Sequence, residues 1–172
     1  ARAPDSDNPS ISADGRFVAF ESWASDLVPG DTNNTADIFV HDRDADGDGI
    51  FDEPGAIATW RVSVRSGGAQ SNDSFGFSVQ PAVSGNGRYV AFQSWSNDLV
   101  DGDTNGTADI FVHDLQTGMT ERVSVADGSG AEANGMSERP SISYDGRFVA
   151  FASTAFNLAA GDTNWARDVF VR

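Results

Sequence analysis

Twelve residues between Asp42 and Glu53 hold six acids: Asp42, Asp44, Asp46, Asp48, Asp52 and Glu53, interrupted by Gly47 and Gly49. Carboxylates at alternate positions, curled by small residues, supply the hard oxygen ligands that calcium takes in a loop. Without a cation, so many like charges in so short a span repel one another. A second acidic pattern occurs three times. Asp31, Asn33, Thr35 and Asp37 form the first set, Asp103, Asn105, Thr107 and Asp109 the second, and Asp162, Asn164, Ala166 and Asp168 the third. Each begins Gly-Asp-Thr-Asn and runs into a short apolar stretch such as Asp109-Ile110-Phe111-Val112. Two carboxylates, an amide and a backbone carbonyl at the third position can converge on one ion. The alternative for the same residues is an Asx-turn, in which the side chains cap their own backbone. Together the insertion and the turns predict calcium as cofactor, with more than one ion.

The formal charge of −15 comes almost wholly from aspartate, and all eleven basic residues are Arg. An excess of Asp, Gly, Asn and Ser predicts turns rather than helices. The balance excludes nucleic acid as a partner, because the phosphate-neutralising charge is missing. No apolar run has membrane-spanning length, so membrane insertion is not expected. There is no cysteine, hence no disulfide framework or thiol chemistry. Acidic, cysteine-free chains suit an extracytoplasmic setting in a prokaryote (secreted, cell-surface or periplasmic), or the interior of salt-loving cells.

The elements that position these acids repeat. Pro9-Ser10-Ile11-Ser12-Ala13-Asp14-Gly15-Arg16-Phe17-Val18-Ala19-Phe20 recurs from Pro81 and again from Pro140, spaced by 72 and then 59 residues, with the acidic insertion accounting for the difference. Within each unit Ser-Ile-Ser reads as a strand, Asp-Gly or Asn-Gly as a hairpin turn, and Arg-Phe-Val-Ala-Phe as a second strand covered on both faces. Asp-Ile-Phe-Val-His is the third strand. Trp60–Val64 and Glu121–Val125 alternate apolar and polar, as an outer fourth strand does. Four short antiparallel strands per repeat predict an all-β fold of β-propeller blades. Blade 1 is expected over 9–64 with an insertion at 42–58, blade 2 over 81–125, and blade 3 over 140–172, incomplete for want of its outer strand. Ala1 to Asn8 reads as the tail of a blade-to-blade connection. Three blades do not close a ring, so 1–172 is expected to be a fragment of a longer chain, or a unit completed by a protein partner or self-assembly, with two copies forming six blades or a neighbour supplying the missing strand.

The Ser-x-Asp-Gly-Arg-Phe-Val-Ala-Phe hairpin resembles the TolB-type, WD-like propeller repeat of bacterial envelope and secreted proteins. The repeated turns are similar to the calcium loops of FG-GAP propellers, although the last Asp comes one residue sooner and the central Asp-Gly is missing. The insertion resembles an EF-hand-type loop when counted from Asp42, with Glu53 at position 12. Counted from Asp44 it resembles a thrombospondin-type loop of Asp44, Asp46, Asp48, Gly49 and Asp52. These resemblances imply a calcium-stabilised binding, structural or assembly module. The alternatives are a propeller domain of an enzyme, peptidase-associated or lyase-like, and a salt-adapted propeller without specific metal sites.

No catalytic set emerges: the serines have no histidine placed as a partner, and no phosphate-cradling glycine loop is present. His41 and His113 occupy equivalent positions, but Arg172 replaces them in the third unit, so a hydrogen-bonding role is expected for both. Trp23 and Trp95 are also equivalent. Such a pair can stack on a glycan, though filling the space between blades is the simpler expectation. Asn33, Asn72 and Asn105 each head an Asn-x-Ser/Thr triplet, two of them already assigned to the acidic turns.

Overall fold

The computed structural model describes residues 5–73 and 75–172, and these form eleven strands and no helix. Among the described residues no helix is long and apolar enough to cross a membrane. Blade 1 is the antiparallel sheet β1 (Ser6–Ile11), β2 (Phe17–Ser22), β3 (Asp37–Asp42) and β4 (Ala58–Arg61), hydrogen-bonded in chain order. Blade 2 repeats it with β5 (Ser78–Val83), β6 (Tyr89–Ser94), β7 (Asp109–Asp114) and β8 (Met119–Arg122). Blade 3 is the three-stranded sheet β9 (Ser137–Ile142), β10 (Val149–Ser153) and β11 (Asp168–Val171). Consecutive four-stranded meanders packed side by side are the blades of a propeller, here an open partial one.

Two expectations move. The fourth strands begin earlier than the alternating pattern suggested, at Ala58 and Met119, and end at Arg61 and Arg122. Beyond those arginines the chain leaves the ladder after one more backbone bond, Val62 to Ile38 and Val123 to Ile110. At the other end Ser6 to Asn8 are not linker but the start of β1, while residues 1–4 lie outside the described residues.

The innermost strands share a bulge. Between Asp7 and Ser10, Val79 and Ala82, and Glu138 and Ser141, the pairing with the second strand slips. Asn8, Gln80 and Arg139 there adopt φ of 51°, 55° and 56°, each just before a proline. The bulges bend the inner strands together. Gln80 N–H donates to Glu21 of blade 1 at 2.7 Å, and Arg139 N–H to the Gln80 side chain at 2.9 Å.

The core lies between blades. Ala19, Ile38 and Val40 pack on Val83, Val90 and Phe92, and Ala91, Ile110 and Val112 pack on Val149 and Phe151. Phe39 of β3 and Phe111 of β7 are fully buried. Neighbouring hairpins also interlock through glycine. A Cβ at Gly87 would meet the Phe17 ring at 2.4 Å, and one at Gly146 would meet the Tyr89 ring at 2.1 Å. Both glycines have positive φ, so only glycine combines that conformation with that closeness.

Candidate functional site

The acidic insertion joins β3 to β4 and folds as its own tight loop. Ala45 N–H donates to Ala56 O at 2.7 Å and Asp52 N–H to Arg43 O at 2.7 Å, which closes the neck. Gly47 and Gly49 take φ of 75° and 89°, and Asp52 takes 63°, so the chain reverses sharply around the acids. Asp44 is buried at the centre and accepts the Asp48 N–H at 3.0 Å and the Gly49 N–H at 3.1 Å. Carboxylate oxygens of Asp44, Asp46 and Asp48 all lie within 4.8 Å of one another. Among the described residues they are the only group of three or more His, Cys, Asp or Glu side chains so arranged. Three hard oxygens, with no nitrogen or sulfur, suit calcium.

The flanking acids are drawn to arginines instead. Arg16 forks onto Asp42, Nε to Oδ1 at 2.7 Å and Nη2 to Oδ2 at 2.8 Å. Burial would raise the Asp42 carboxyl, but the Arg16 fork and the Asp44 N–H prevail and hold it below the ordinary aspartate range. Arg43 forks onto Asp52 in the same way, with Nη2 to Oδ2 at 2.6 Å, and its Nη1 donates to Gly15 O at 2.9 Å. Glu53 is not part of the triad; its backbone carbonyl accepts the Ala56 N–H. The converging acids are the first three of the register counted from Asp44, whose later member Asp52 is held by Arg43 instead.

The three Gly-Asp-Thr-Asn turns share one geometry. Asn33 donates to Asp37 at 2.9 Å, Asn105 to Asp109 at 2.7 Å, and Asn164 to Asp168 at 3.1 Å. The same Asn oxygens accept the N–H of Thr35, Thr107 and Ala166. What stands between the acids is a guanidinium. Arg61 Nη1 lies 3.2 Å from Asp31 and 3.3 Å from Asp37. Arg122 Nη1 lies 3.1 Å from Asp103, 3.6 Å from Asp109 and 3.1 Å from Glu132. A serine two residues on completes each socket. Ser63 Oγ donates to Asp37 and accepts the Ile38 N–H at 3.0 Å, and Ser124 Oγ donates to Asp109 and accepts the Ile110 N–H at 3.1 Å. The chain thus supplies its own cation to the first two turns. The sign was present in the sequence, because Arg61-Val62-Ser63-Val64 and Arg122-Val123-Ser124-Val125 are identical at four positions.

Charge in these sockets is finely balanced. Burial, reinforced by Asp109 and Glu132, pushes Asp103 up to about 6 although Arg122 pulls it down. Asp109 is also raised by burial, against the hydrogen bonds from Ser124 and Asn105. Asp31 follows the same direction, from burial and the neighbouring Asp37. In the third turn Asp162, Asn164 and Asp168 have no such arginine or serine beside them among the described residues; Arg167 turns outward to Glu138.

The histidines are held by threonines. Thr120 Oγ1 lies 2.5 Å from Val64 O, to which it donates, so it accepts from His113 Nδ1 at 2.8 Å. His41 meets Thr59 at 2.8 Å. Burial lowers the His113 value, against the neighbouring Asp114 carboxylate, which raises it. Trp95 stacks on Phe77 with centroids 4.3 Å apart.

No protein-family profile and no curated protein matches this sequence. Among solved structures it is similar to TolB from Acinetobacter baumannii, at 16% identity over 98% of this chain and 29% of that one, TM-score 0.48. It is similar also to an acylaminoacyl peptidase of Pyrococcus horikoshii, at 16% identity over 88% of this chain and 17% of that one, TM-score 0.44. A third is the dihydro-heme d1 dehydrogenase NirN, at 14% identity over 95% of this chain and 27% of that one, TM-score 0.44. The chain spans less than a third of the length of each of these proteins.

Proposed function

We propose that the chain is an extracytoplasmic, propeller-type binding and assembly module whose first blade is fastened by calcium at Asp44, Asp46 and Asp48. The observation that carries this reading is the convergence of those three carboxylates within 4.8 Å while Asp42 and Asp52 beside them are neutralised by Arg16 and Arg43. A solvated acidic loop would leave all five to spread apart. Calcium also fits the location: two of the three ligands are exposed, and open sites of that kind belong to the weaker class that fills where the ion is abundant, outside the cytoplasm. At Asp31 and Asp37, and at Asp103 and Asp109, Arg61 and Arg122 supply the positive charge, so the ion belongs to the insertion.

Thermal unfolding in calcium, in magnesium and in EDTA tests the metal. Calcium at about a hundred times its dissociation constant stabilises the folded state by about 2.7 kcal/mol. For a chain of this size that is roughly 5–10 °C in Tm. The rise should vanish in the double variant D46N/D48N and be much smaller with magnesium. An equal response to both cations, or to sodium at matched ionic strength, sinks the proposal in favour of plain charge screening.

A further inference from the structure

Between blades 1 and 2, both of them four-stranded, lies a cavity of about 360 Å³. That size is at the small end of ligand pockets, so it takes one or two rings and not a long chain. Its aromatic walls are the half-buried rings of Phe17 on β2 and Trp60 on β4. Its rim is polar: Asp42 at the end of β3, Asn86 and Arg88 from the blade 2 hairpin, and Gln116 from the turn between β7 and β8. The fold does not require the tryptophan. Trp60 pairs with Val40, and the same register on blade 2 puts an exposed Glu121 opposite Val112. A blade with a carboxylate there forms the same sheet, so the indole is an addition to one groove. The groove between blades 2 and 3 has Tyr89 and Glu121 at these positions, one ring where the first has two.

The polar groups specify what the rings hold. Both charged side chains on the rim are already neutralised: Arg16 takes both Asp42 oxygens, and Arg88 forks onto Asp114, Nε to Oδ1 at 3.0 Å and Nη2 to Oδ2 at 2.7 Å. A charged ligand finds no unpaired opposite charge there, and the formal charge of −15 repels anions. The amides are available. Asn86 Oδ1 accepts from Ser84 Oγ and the Arg88 N–H, while its Nδ2 meets no acceptor among the described residues. Gln116 bonds Asp114 through its backbone N–H, and its exposed side chain has no partner among the described residues. Amides both donate and accept, as sugar hydroxyls do. A pyranose also presents a face of slightly positive C–H bonds, which suits the negative face of an indole.

We propose that this cavity binds a neutral pyranose sugar, stacked on Trp60 with Phe17 as the second wall and its hydroxyls shared among Asn86 Nδ2, the Gln116 amide and Arg88 Nη1. An apolar peptide side chain would leave those polar groups unmatched as it covered them. The proposal rests on the binding role given above and names its ligand class. Sugar binding is read at fixed calcium, and the metal from Tm without sugar, so either can fail alone.

The probes are methyl glycosides of neutral hexopyranoses, with a methyl glucuronide as the anionic arm and N-acetylleucinamide as the apolar peptide arm. Titrated into the ¹⁵N-labelled chain, the neutral glycosides should shift one of the four tryptophan indole N–H signals. The shift should saturate with a dissociation constant of about 1 mM, the affinity that ordinary ligand efficiency gives a single ring. W60E, which copies blade 2 at that position, should remove that signal and weaken binding at least about 10-fold through the lost stacking area. Q116A, at a side chain with no partner to lose, should weaken it about 2- to 10-fold, the worth of one neutral hydrogen bond. No saturable shift with any neutral glycoside at about 20 mM, or unchanged binding in W60E and Q116A, overturns the proposal. So does tighter binding of the glucuronide or of N-acetylleucinamide than of every neutral glycoside, which would assign the cavity to an anion or to a peptide side chain.

Discussion

Replacing Arg122 by methionine removes the cation that Asp103, Asp109 and Glu132 share and keeps most of the side-chain volume. Arg122 is 10% exposed, Asp103 3% and Asp109 fully buried, so water cannot take over the role of the guanidinium. Breaking one member of a buried ionic set costs about 3–5 kcal/mol, because the remaining charges are left uncompensated. For a chain of this length that is roughly 6–20 °C in Tm at pH 7. The loss should depend on pH in a defined direction. Asp103 already sits at about 6 in the folded state, above its ordinary 3.8, and removing Arg122 raises it further. A carboxyl whose folded value exceeds its unfolded one favours the fold when protonated. The penalty is therefore complete above the folded value and fades as pH falls through it towards 3.8. Denaturant unfolding of wild type and R122M at pH 7.5 and pH 4.5 measures this, with the difference expected to shrink by at least half at the lower pH. An undiminished difference at pH 4.5 would mean that Arg122 acts through packing of its stem and not through charge.

The Gly146→Ala change should destabilise by about 1–3 kcal/mol, since the new methyl both enters the Tyr89 ring at 2.1 Å and demands positive φ; the control Gly161→Ala, with open space around it, should show only the smaller conformational share in the same melting experiment. Asp42→Asn should lower stability at neutral pH. The Arg16 fork holds Asp42 below the ordinary range, so its contribution is complete above 3.8 and is lost as pH falls through the folded value. Unfolding curves of the variant and wild type should converge in strong acid, and a gap constant from pH 7 to pH 2 would contradict the assignment.

Much of the fold was legible because the sequence repeats. Three hairpins of the form Asp-Gly-Arg-Phe or Asn-Gly-Arg-Tyr, each followed by an apolar strand, fix the first three strands of every blade, and all nine are observed. The fourth strands were placed late, since Arg61-Val62-Ser63-Val64 alternates as a ladder strand does while its serine leaves the ladder to serve Asp37. The bulges at Asn8, Gln80 and Arg139 were hidden, because residues preceding proline ordinarily avoid the left-handed region. At the candidate site the sequence names the acids, but a list of acids does not reveal which cation meets them. That depends on Arg16, Arg61 and Arg122, which come from other strands and hairpins, and on Arg43 within the loop itself. In a chain with twenty-six acids and eleven arginines, the position of each arginine decides which acids are free to take an ion.

The hairpin ladder also has a direction. Phe17 of blade 1 covers Gly87 of blade 2, and Tyr89 of blade 2 covers Gly146 of blade 3. Phe148 is the next ring in the series and stands 50% exposed. At the opposite end the corresponding glycine is not bare. The Phe51 ring lies 3.7 Å from where a Cβ of Gly15 would sit, and Arg43, stacked on that ring at 4.9 Å, donates to Gly15 O. The acidic insertion thus occupies on blade 1 the position that a preceding blade's aromatic occupies on blades 2 and 3. A ring of two copies would place Phe148 of one over Gly15 of the other, and would have to displace Phe51 and the Arg43–Asp52 fork to do so. The loop that gathers Asp44, Asp46 and Asp48 is the same loop that covers Gly15, so an ion that ordered the three carboxylates would also hold the Phe51 ring and the Arg43 contact in place over the blade 1 hairpin.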